Sequence, residues 1–486
     1  MSLKTQHLSF LTSRKAQQAT ELLARQERIP VWALPRLFIG IIGLGFFFTF
    51  FDIGDINVSF IQTCTQIVAG CLPQTASHYL GLPVMINLIG YMVGALIFSL
   101  FADRFGRRDL LVFTMMIAGL GSLYTAFVSD YTNFVIARAV TGIGVGADLA
   151  LVNTYLNEFA PLHGRVKYTA LVYILATCGI TLSVWLGLYL TTPATPFPDG
   201  LPFALASSQF ALGWRTLYGL GTLLTLVGLF LRIDLPESPR WLIARGRLAE
   251  AERVVVRMER QALKRVRELP PVGLDHRFFV RKQGTSYGEI FRDVLYIKRT
   301  ILLLVIWLAG YVTVYSLVAG LTVLLTALGY AEPEAGMISA MGICGSVICG
   351  VVVYLWGERL ERKIWLLLAG ALALLGGVVV VFSQQNLLLA FVGVILLSMG
   401  SYLWLPASYS WTTEQYPTRA RASGFAVVDG LGHLGGGIGV YVIVPLVPRL
   451  GPLLTFLFIS GFLLIAAGLA LFGPTTRSKL LDDISP

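Results

Sequence analysis

Charged residues are scarce in this sequence. Of its 486 residues, 13% are Asp, Glu, Lys or Arg, whereas 56% are hydrophobic. About a quarter of the residues in an ordinary soluble domain are charged. The composition therefore excludes a soluble globular protein and indicates a chain that folds with lipid as its solvent.

Catalytic and nucleotide-binding motifs are also missing. The sequence contains no GxxxxGK[ST] phosphate-binding loop, no HExxH pair and no Ser/His/Asp set that could carry catalysis. Nucleotide-driven pumping and enzymatic activity are therefore disfavoured. We expect a protein that is not an enzyme and that binds neither a cofactor nor a metal.

Cysteine is rare, and the five cysteines match no metal-site spacing. Cys178, Cys344 and Cys349 lie in apolar runs, where packing is the expected role. Cys64 and Cys71 lie at or near the first predicted external loop, where a disulfide can form if that side is oxidising. A disulfide and two free thiols are equally good interpretations of this pair.

Long apolar runs fill most of the chain. A hydrocarbon core about 30 Å thick needs roughly 20 apolar residues per helix, and twelve such runs lie between residues 37 and 473. They predict an all-α membrane protein divided by a polar linker, in which good helix formers over 246–268 predict a surface helix. The predicted units are a tail (1–36), a six-helix bundle (37–232), the linker with short helices (233–299), a second six-helix bundle (300–473) and a tail (474–486).

The basic residues lie almost entirely on one side of these helices. They concentrate in both tails and in the connections 2–3, 4–5, 6–7, 8–9 and 10–11. Because cytoplasmic loops are enriched in Lys and Arg, we expect a monomer in the plasma membrane with both termini in the cytoplasm. This asymmetry accounts for the net charge of +10, so we do not expect nucleic-acid binding.

A short charged motif occurs at equivalent places in the two halves. DRFGRR (103–108) follows predicted helix 2, and ERLERK (358–363) follows predicted helix 8. Two parallel-related halves with matched loops are typical of a transporter that binds its substrate between them, near the bilayer midplane.

The motifs resemble those of the major facilitator superfamily over nearly the whole chain. SLFADRFGRR (99–108) is similar to the superfamily's loop 2–3 signature, with Ser99 where Gly is more common, and RAVTGIGVGAD (138–148) to its helix 4 motif. LPESPRWLIARGRLAEA (235–251) and TEQYPTRARASG (413–424) are similar to markers of sugar porters and their metabolite-transporting relatives. The resemblance implies twelve helices in two pseudo-symmetric bundles and transport by alternating access.

Departures from the sugar-porter pattern narrow the resemblance. Helices 5 and 7 lack the glutamines that sugar porters carry there. Asp52 and Asp55 in helix 1, with Asp148 in helix 4, are more similar to the branch of phosphate, aromatic-acid and organic-ion transporters. The phosphate symporters of that branch carry an acid in helix 7 where Tyr311 stands, which argues against phosphate.

Ionisable residues inside the predicted helices are expensive unless they are paired or face a wet cavity, at roughly 2.5 to 3.5 kcal/mol each. Asp52 and Arg138 fall at comparable depths when counted by helical rise, so we predict that they form an ion pair. Protonating Asp52 would weaken that pair and bias one facing state. Asp55, one turn along, is the second candidate for this role, and a permanent structural pair is the alternative.

Three further residues are proton-coupling candidates. Asp148 lies among glycines of helix 4 that allow close helix packing, and it needs a partner or a proton. Asp429 and His433 share a helix face, with His433 near the midplane. A titrating His433 and a neutral His433 satisfied by Asp429 are equally good interpretations.

The deep charges constrain the substrate. Four deep acids face one deep cation, Arg138, with His433 as a conditional second. This balance disfavours a polyanion and favours a neutral or singly charged metabolite. The aromatic candidates for lining its cavity are Tyr311, Tyr315, Trp404 and Trp411.

Charged residues at the cytoplasmic helix ends form a predicted gate. We expect their ion pairs to hold the halves together while the site faces outward. The predicted members are Asp103, Arg104, Arg107, Arg108, Glu158, Arg165, Glu358, Arg359, Arg362, Glu414 and Arg419.

Together these features predict a secondary active transporter, a proton-coupled symporter of a small organic metabolite such as an organic acid or a sugar-like solute. The alternatives are a facilitator or exporter in which the Asp–Arg pair is structural, an inorganic phosphate symporter, and a non-transporting sensor of the same fold.

Overall fold

The chain folds into helices along nearly its whole length. The computed structural model describes residues 14–72, 75–161, 164–207, 210–272, 286–383, 386–417, 420–443, 446–479 and 484–485. Twelve segments within these residues are long and apolar enough to cross a membrane. The predicted all-α architecture with twelve membrane helices is therefore confirmed.

Six spans precede the linker and make up the first half of the molecule. They are α2 (Arg36–Gly54) continued by α3 (Ile56–Ile67), α4 (Ala76–Phe105), α5 (Arg107–Phe127), α6 (Tyr131–Phe159), α7 (Arg165–Thr191) and α8 (Gly213–Arg232). Within this half, α6 packs between α4 and α5, while α2 packs on α7.

Six spans follow the linker and make up the second half. They are α12 (Val294–Ala327), α13 (Glu332–Trp356), α14 (Ile364–Val381), α15 (Leu387–Leu403) continued by α16 (Leu405–Glu414), α17 (Arg421–Ile438) with a π-helical extension (Gly439–Ile443), and α18 (Val447–Ala470). The halves meet where α17 packs on α4 and α13 on α7.

Four shorter helices lie on one face of the bundle, which we call the linker side. They are α1 (Arg14–Glu27), α9 (Pro239–Ala244), α10 (Leu248–Leu263) and α11 (Ser286–Ile290). The helix predicted over 246–268 is confirmed as α10. Helix α1 packs on α10, where Glu259 accepts hydrogen bonds from Arg25 at 2.5 Å and Arg28 at 2.7 Å.

The opposite face, which we call the far side, carries a disulfide between Cys64 and Cys71. The pair lies at the end of α3 and in the loop that follows it. Of the two interpretations left open by the sequence, the structure contains the disulfide.

Glycines in α6 allow the close packing that the sequence predicts. A Cβ atom on Gly142 or Gly146 would overlap backbone atoms of α4 near Tyr91, and one on Gly144 would overlap Ala118 of α5. Because α6 contacts both neighbours at backbone distance, it positions Arg138 and Asp148 rigidly in the centre of the first half.

Two predicted runs are interrupted within the membrane. The first breaks at Asp55, between α2 and α3, and the tenth breaks at Trp404, between α15 and α16. Pro406, in the first turn of α16, has no N–H to continue the α15 hydrogen-bond ladder. Asp55 and Trp404 both keep right-handed helical backbone angles, so each interruption is local.

Candidate proton-coupling and substrate site

Arg138 binds the break between α2 and α3. Its Nη1 donates to Oδ1 of Asp55 at 3.2 Å, and its Nη2 donates to the backbone carbonyl of Asp52 at 3.1 Å. All three residues are buried. One guanidinium therefore satisfies both a carboxylate and a carbonyl exposed where the helix is interrupted.

The predicted ion pair between Asp52 and Arg138 is wrong, because the acid that pairs with Arg138 is Asp55. The Asp52 carboxylate instead accepts a hydrogen bond from the Ser122 hydroxyl of α5. Asp52 also lies against Gly221 of α8, where a Cβ atom would come within 2.8 Å of its Oδ1. Counting residues along a helix predicts how deep a side chain lies in the membrane. The direction in which the side chain points determines its partner.

Several polar atoms at this break have no hydrogen-bond partner among the described residues. They are Oδ2 of Asp52, Oδ2 of Asp55, Nε of Arg138 and the hydroxyl of Tyr218. The Tyr218 ring lies 5.6 Å from the Arg138 guanidinium carbon. Two carboxylates thus lie near one cation that pairs with Asp55 alone, and each retains an unused oxygen.

A second intramembrane ion pair joins Asp148 to Arg232. The guanidinium contacts both carboxylate oxygens, with Nη2 donating to Oδ2 at 3.0 Å. The hydroxyls of Thr49 and Thr114 each donate to the same carboxylate at 3.1 Å. Both Asp148 oxygens are therefore paired, in contrast to those of Asp52 and Asp55.

Arg232 corrects the predicted balance of deep charges, in which Arg138 is the one deep cation. Arg232 is the last residue of α8 and is fully buried. An arginine that closes an apolar run normally extends to the membrane surface, so the sequence carries no signal that this one turns inward.

Asp429 lies between the halves. Tyr91 of α4, in the first half, donates to its Oδ2 at 2.6 Å, and Tyr311 of α12, in the second half, donates to its Oδ1 at 2.6 Å. The three residues are buried. The hydrogen bond from Tyr91 therefore links one half to a charged group of the other.

His433 lies between the same two tyrosines, stacked on Tyr91 and tilted by 45° to Tyr311. Its ring centroid lies 3.6 Å from that of Tyr91 and 3.9 Å from that of Tyr311. Its Nδ1 lies 2.7 Å from the backbone carbonyl of Asp429 but 3.8 Å from the nearer carboxylate oxygen. Because a carbonyl only accepts, Nδ1 carries a hydrogen, and His433 is held by its own helix backbone rather than by the Asp429 carboxylate.

Aromatic residues around this pair form one cluster. Trp307 lies 5.2 Å from Tyr311, 5.0 Å from Trp404 and 5.4 Å from Tyr409, measured between ring centroids. Tyr315 lies 5.6 Å from His433. The structure thus brings together the predicted residues Tyr311, Tyr315 and Trp404.

Three members of the cluster are absent from the predicted set: Tyr91, Trp307 and Tyr409. Trp411 does not belong to the cluster, which corrects its predicted place at the cavity. Its Nε1 donates to the carbonyl of Pro474 at 3.0 Å, on the linker side. Trp411 is the last aromatic residue of α16 before the membrane surface, and it packs against the end of α18.

Part of the predicted gate joins the halves on the linker side. Arg165 of α7 lies 3.7 Å from Glu414 of α16. Glu358, after α13, accepts hydrogen bonds from the backbone N–H groups of Val166 at 2.9 Å and Lys167 at 3.4 Å. A carboxylate of the second half thus caps the first turn of α7 in the first half, where the helix dipole favours negative charge.

Other predicted gate residues pair within one half. Arg107 lies 3.4 Å from Glu158 in the first half, and Arg362 lies 3.5 Å from Glu414 and 3.1 Å from Glu358 in the second. Burial lowers the pKa of Arg362, but the charges of Glu414 and Glu358 outweigh burial and leave that pKa raised.

The remaining gate residues do not bridge the halves where they are described. Arg104 and Arg359 are exposed, and Arg108 lies 3.9 Å from its exposed neighbour Asp109. Arg419 and the side chain of Asp103 lie outside the described residues.

The far side is also bridged. Asn57, at the start of α3, donates to the backbone carbonyl of Val318 in α12. With contacts between the halves at both faces, the Asp429 cluster is enclosed between two barriers.

Comparison with known proteins assigns the family. The family model described as "Sugar (and other) transporter" matches residues 38–486. The niacin transporter NiaP of Acinetobacter baylyi is 27% identical over 478 residues, which cover 96% of this chain and 99% of that protein. The 4-hydroxybenzoate transporter PcaK of Pseudomonas aeruginosa is 31% identical over 371 residues, which cover 74% of this chain and 76% of that protein.

A solved structure shows the same fold. The proton:xylose symporter XylE from E. coli, bound to 6-bromo-6-deoxy-D-glucose, superimposes with a TM-score of 0.72 at 21% identity and covers 92% of this chain and 98% of its own. The enclosed site between two six-helix halves, the family match and the relatives lead to one conclusion: the chain belongs to the sugar (and other) transporter family of the major facilitator superfamily and is a membrane transporter.

Proposed function

We propose that this protein is a proton-coupled symporter that takes up a small, ring-bearing organic metabolite. The observation that carries the proposal is that Arg138 pairs with Asp55, while the buried Asp52 carboxylate beside it contacts no cation among the described residues. Each acid keeps an oxygen without a partner there. A buried carboxylate left without a cation costs several kcal/mol. One proton on this pair of acids removes that cost, so the site is built to exchange a proton.

The position of Asp55 connects the proton to a barrier. Asn57, two residues along α3, binds the carbonyl of Val318 and closes the far side. When Asp55 is neutral, Arg138 loses its charged partner and the α2/α3 break loses its main restraint. Protonation at Asp55 therefore biases the position of α3 and, through Asn57, the far-side contact with α12.

The Asp148–Arg232 pair has a different role in this scheme. Both carboxylate oxygens of Asp148 are occupied by a guanidinium and by two threonine hydroxyls. Neutralising Asp148 would strand Arg232 in the membrane. We assign this pair to holding α2, α5, α6 and α8 together, and proton exchange to Asp52 and Asp55.

The substrate site in this proposal is the aromatic cluster between the halves. Tyr91 comes from the first half, and Tyr311 and His433 from the second. Aromatic faces of this kind stack on planar rings, and relatives of this chain are named for niacin and 4-hydroxybenzoate. Both observations support a ring-bearing metabolite as the substrate.

Uptake requires that the linker side face the cytoplasm. Two features support this orientation: the basic residues concentrate on the linker side, and a disulfide such as Cys64–Cys71 is favoured where the far side faces an oxidising compartment. Exposed single cysteines test it, with Arg253→Cys on α10 and Asp199→Cys in the far-side loop. In intact cells a membrane-impermeant maleimide should label only the second variant, and the reverse pattern would contradict the orientation.

The coupling is tested in proteoliposomes that contain a pH-sensitive dye. Addition of nicotinamide or 4-hydroxybenzamide outside should acidify the lumen, because the proton enters with the solute. Asp55→Asn should abolish the acidification, whereas Asp199→Asn, the same change on an exposed loop, should not. Solute flux without acidification would make the protein a facilitator, and no flux of any ring-bearing probe would contradict the proposed transport.

A further inference from the structure

Asp429 is a buried carboxylate for which no arginine or lysine among the described residues provides a counter-charge. Its hydrogen-bond donors are the hydroxyls of Tyr91 and Tyr311, each at 2.6 Å. His433 lies on the same helix, but its Nδ1 is 3.8 Å from the carboxylate and donates to the Asp429 carbonyl instead. In its ionised form Asp429 is therefore stabilised by two tyrosine hydroxyls and not by an ion pair with arginine or lysine.

The arginines of the first half do not compensate for the charge of Asp429. Asp148 pairs with Arg232 and Asp55 pairs with Arg138, which leaves the Asp52 carboxylate without a cation among the described residues. Each half thus contains one deep carboxylate in excess of its deep cations in the described spans. The space between the halves is therefore flanked by more carboxylates than arginines among the described residues.

One donor to Asp429 is removable. Tyr91 belongs to the first half and Tyr311 to the second, the half that carries Asp429. When the halves separate on the linker side, Tyr91 moves away with α4 and Tyr311 stays. An ionised carboxylate offers about four acceptor positions, so the position that Tyr91 leaves is open to a donor on the substrate.

The same carboxylate repels an anion. A ligand charge placed about 6 Å from Asp429 in a medium of effective dielectric constant about 20 changes the dissociation constant roughly a hundredfold. The sign is unfavourable for a carboxylate ligand and favourable for a cation, and a neutral donor gains a hydrogen bond to a charged acceptor.

We propose that the substrate is a neutral or cationic ring compound carrying an N–H or O–H group, and that this group binds Asp429 in place of Tyr91. Asp429 is then the residue that sets the charge specificity. The proposal rests on the substrate site proposed above, and it separates this chain from the carboxylate solutes for which two of its relatives are named.

Three ligands that share one ring test the proposal: 4-hydroxybenzoate, 4-hydroxybenzamide and 4-hydroxybenzamidinium. They differ in one group, which is a negative carboxylate without N–H donors, a neutral amide or a positive amidinium near neutral pH. Dissociation constants are measured with the purified full-length protein by ligand-dependent thermal stabilisation. We expect the amide and the amidinium to bind at least tenfold, and by the estimate above about a hundredfold, more tightly than the carboxylate.

Variants of Asp429 identify the cause. Asp429→Asn keeps the shape and removes the charge, so the three dissociation constants should converge to within about threefold. Asp429→Glu keeps the charge and should keep the order, as should the exposed control Asp199→Asn. Equal binding of the carboxylate and the amide by the unaltered protein, unchanged discrimination in Asp429→Asn, or binding of none of the three ligands would overturn the proposal.

The two proposals fail separately. Charge discrimination is read from binding alone, whereas proton coupling is read from lumen acidification and from Asp55→Asn. A protein that ranks the three ligands as expected but moves no protons would refute the coupling and leave Asp429 as the specificity residue.

Discussion

Replacing Arg232 with methionine should leave Asp148 charged and buried without its cation. Methionine keeps an apolar chain of similar length, so the main loss is the guanidinium that contacts both carboxylate oxygens. The cheapest relief is to protonate Asp148. For an aspartic acid of ordinary pKa, about 3.9, protonation at pH 7 costs about 4 kcal/mol, which is within the 3 to 5 kcal/mol typical of broken buried pairs.

The size of this penalty should depend on pH in a defined direction. Above pH 3.9 the carboxylate is ionised in the unfolded reference state, so the cost of protonating it grows by about 1.4 kcal/mol per pH unit. The penalty of Arg232→Met should therefore fall from about 4 kcal/mol at pH 7 to about 1.5 kcal/mol at pH 5. The cost is present at neutral pH and is lost as the pH falls.

Equilibrium unfolding of the full-length protein in mixed micelles measures this cost. The matched variant Asp148→Asn strands the guanidinium instead, and because arginine keeps its proton throughout this range, its penalty should be the same at pH 5 and pH 7. The double variant should recover most of the stability, since neither charge is then left alone. A penalty for Arg232→Met below about 1 kcal/mol at pH 7, or one that does not change with pH, would refute the reasoning.

Three further changes test other contacts. Tyr91→Phe removes the hydrogen bond from one half to Asp429 and should favour opening on the linker side by roughly tenfold, as read by cysteine accessibility; unchanged accessibility would contradict the bridging role. Glu414→Gln removes the partner of Arg165 and should also favour opening on the linker side. The ligand dissociation constants of the enclosed state should stay within about twofold. A loss of binding would place Glu414 in the substrate site instead. Burial raises the pKa of Glu259, but hydrogen bonds from Arg25 of α1 and from Arg28, just after it, outweigh burial and lower that pKa. Protection of α1 in hydrogen exchange should therefore be complete above pH 4.5 and fall as the pH drops through the lowered pKa. Glu259→Gln should remove this pH dependence.

The membrane topology could be predicted from composition because a bilayer imposes a fixed helix length. Partners inside the membrane could not, because the length of an apolar run does not encode the direction in which each buried side chain faces. The sequence predicts that Arg138 is a buried cation. It does not predict that Arg138 pairs with Asp55 rather than Asp52, because that depends on the direction in which α2 turns the Asp52 carboxylate, toward Ser122 of α5.

A contact with a distant helix accounts for one departure from the superfamily motif. Ser99 stands where glycine is more common in the superfamily motif, and its hydroxyl lies 2.9 Å from the hydroxyl of Tyr287 in α11. Tyr287 also donates to the carbonyl of Leu96 at 2.7 Å. The serine therefore fits a partner 188 residues away, which sequence spacing does not reveal.

The packing of α1 on α10 determines what a fluorescent label on this protein reports. Gln26 donates to the carbonyl of Glu158 at 2.7 Å, and Arg265 donates to the carbonyl of Trp32 at 2.5 Å. The tail and the first part of the linker are therefore fastened to the first half. A fluorophore at position 253 and a second one beyond α13 report the distance between the two halves. This distance follows each transport cycle without any dye near the substrate.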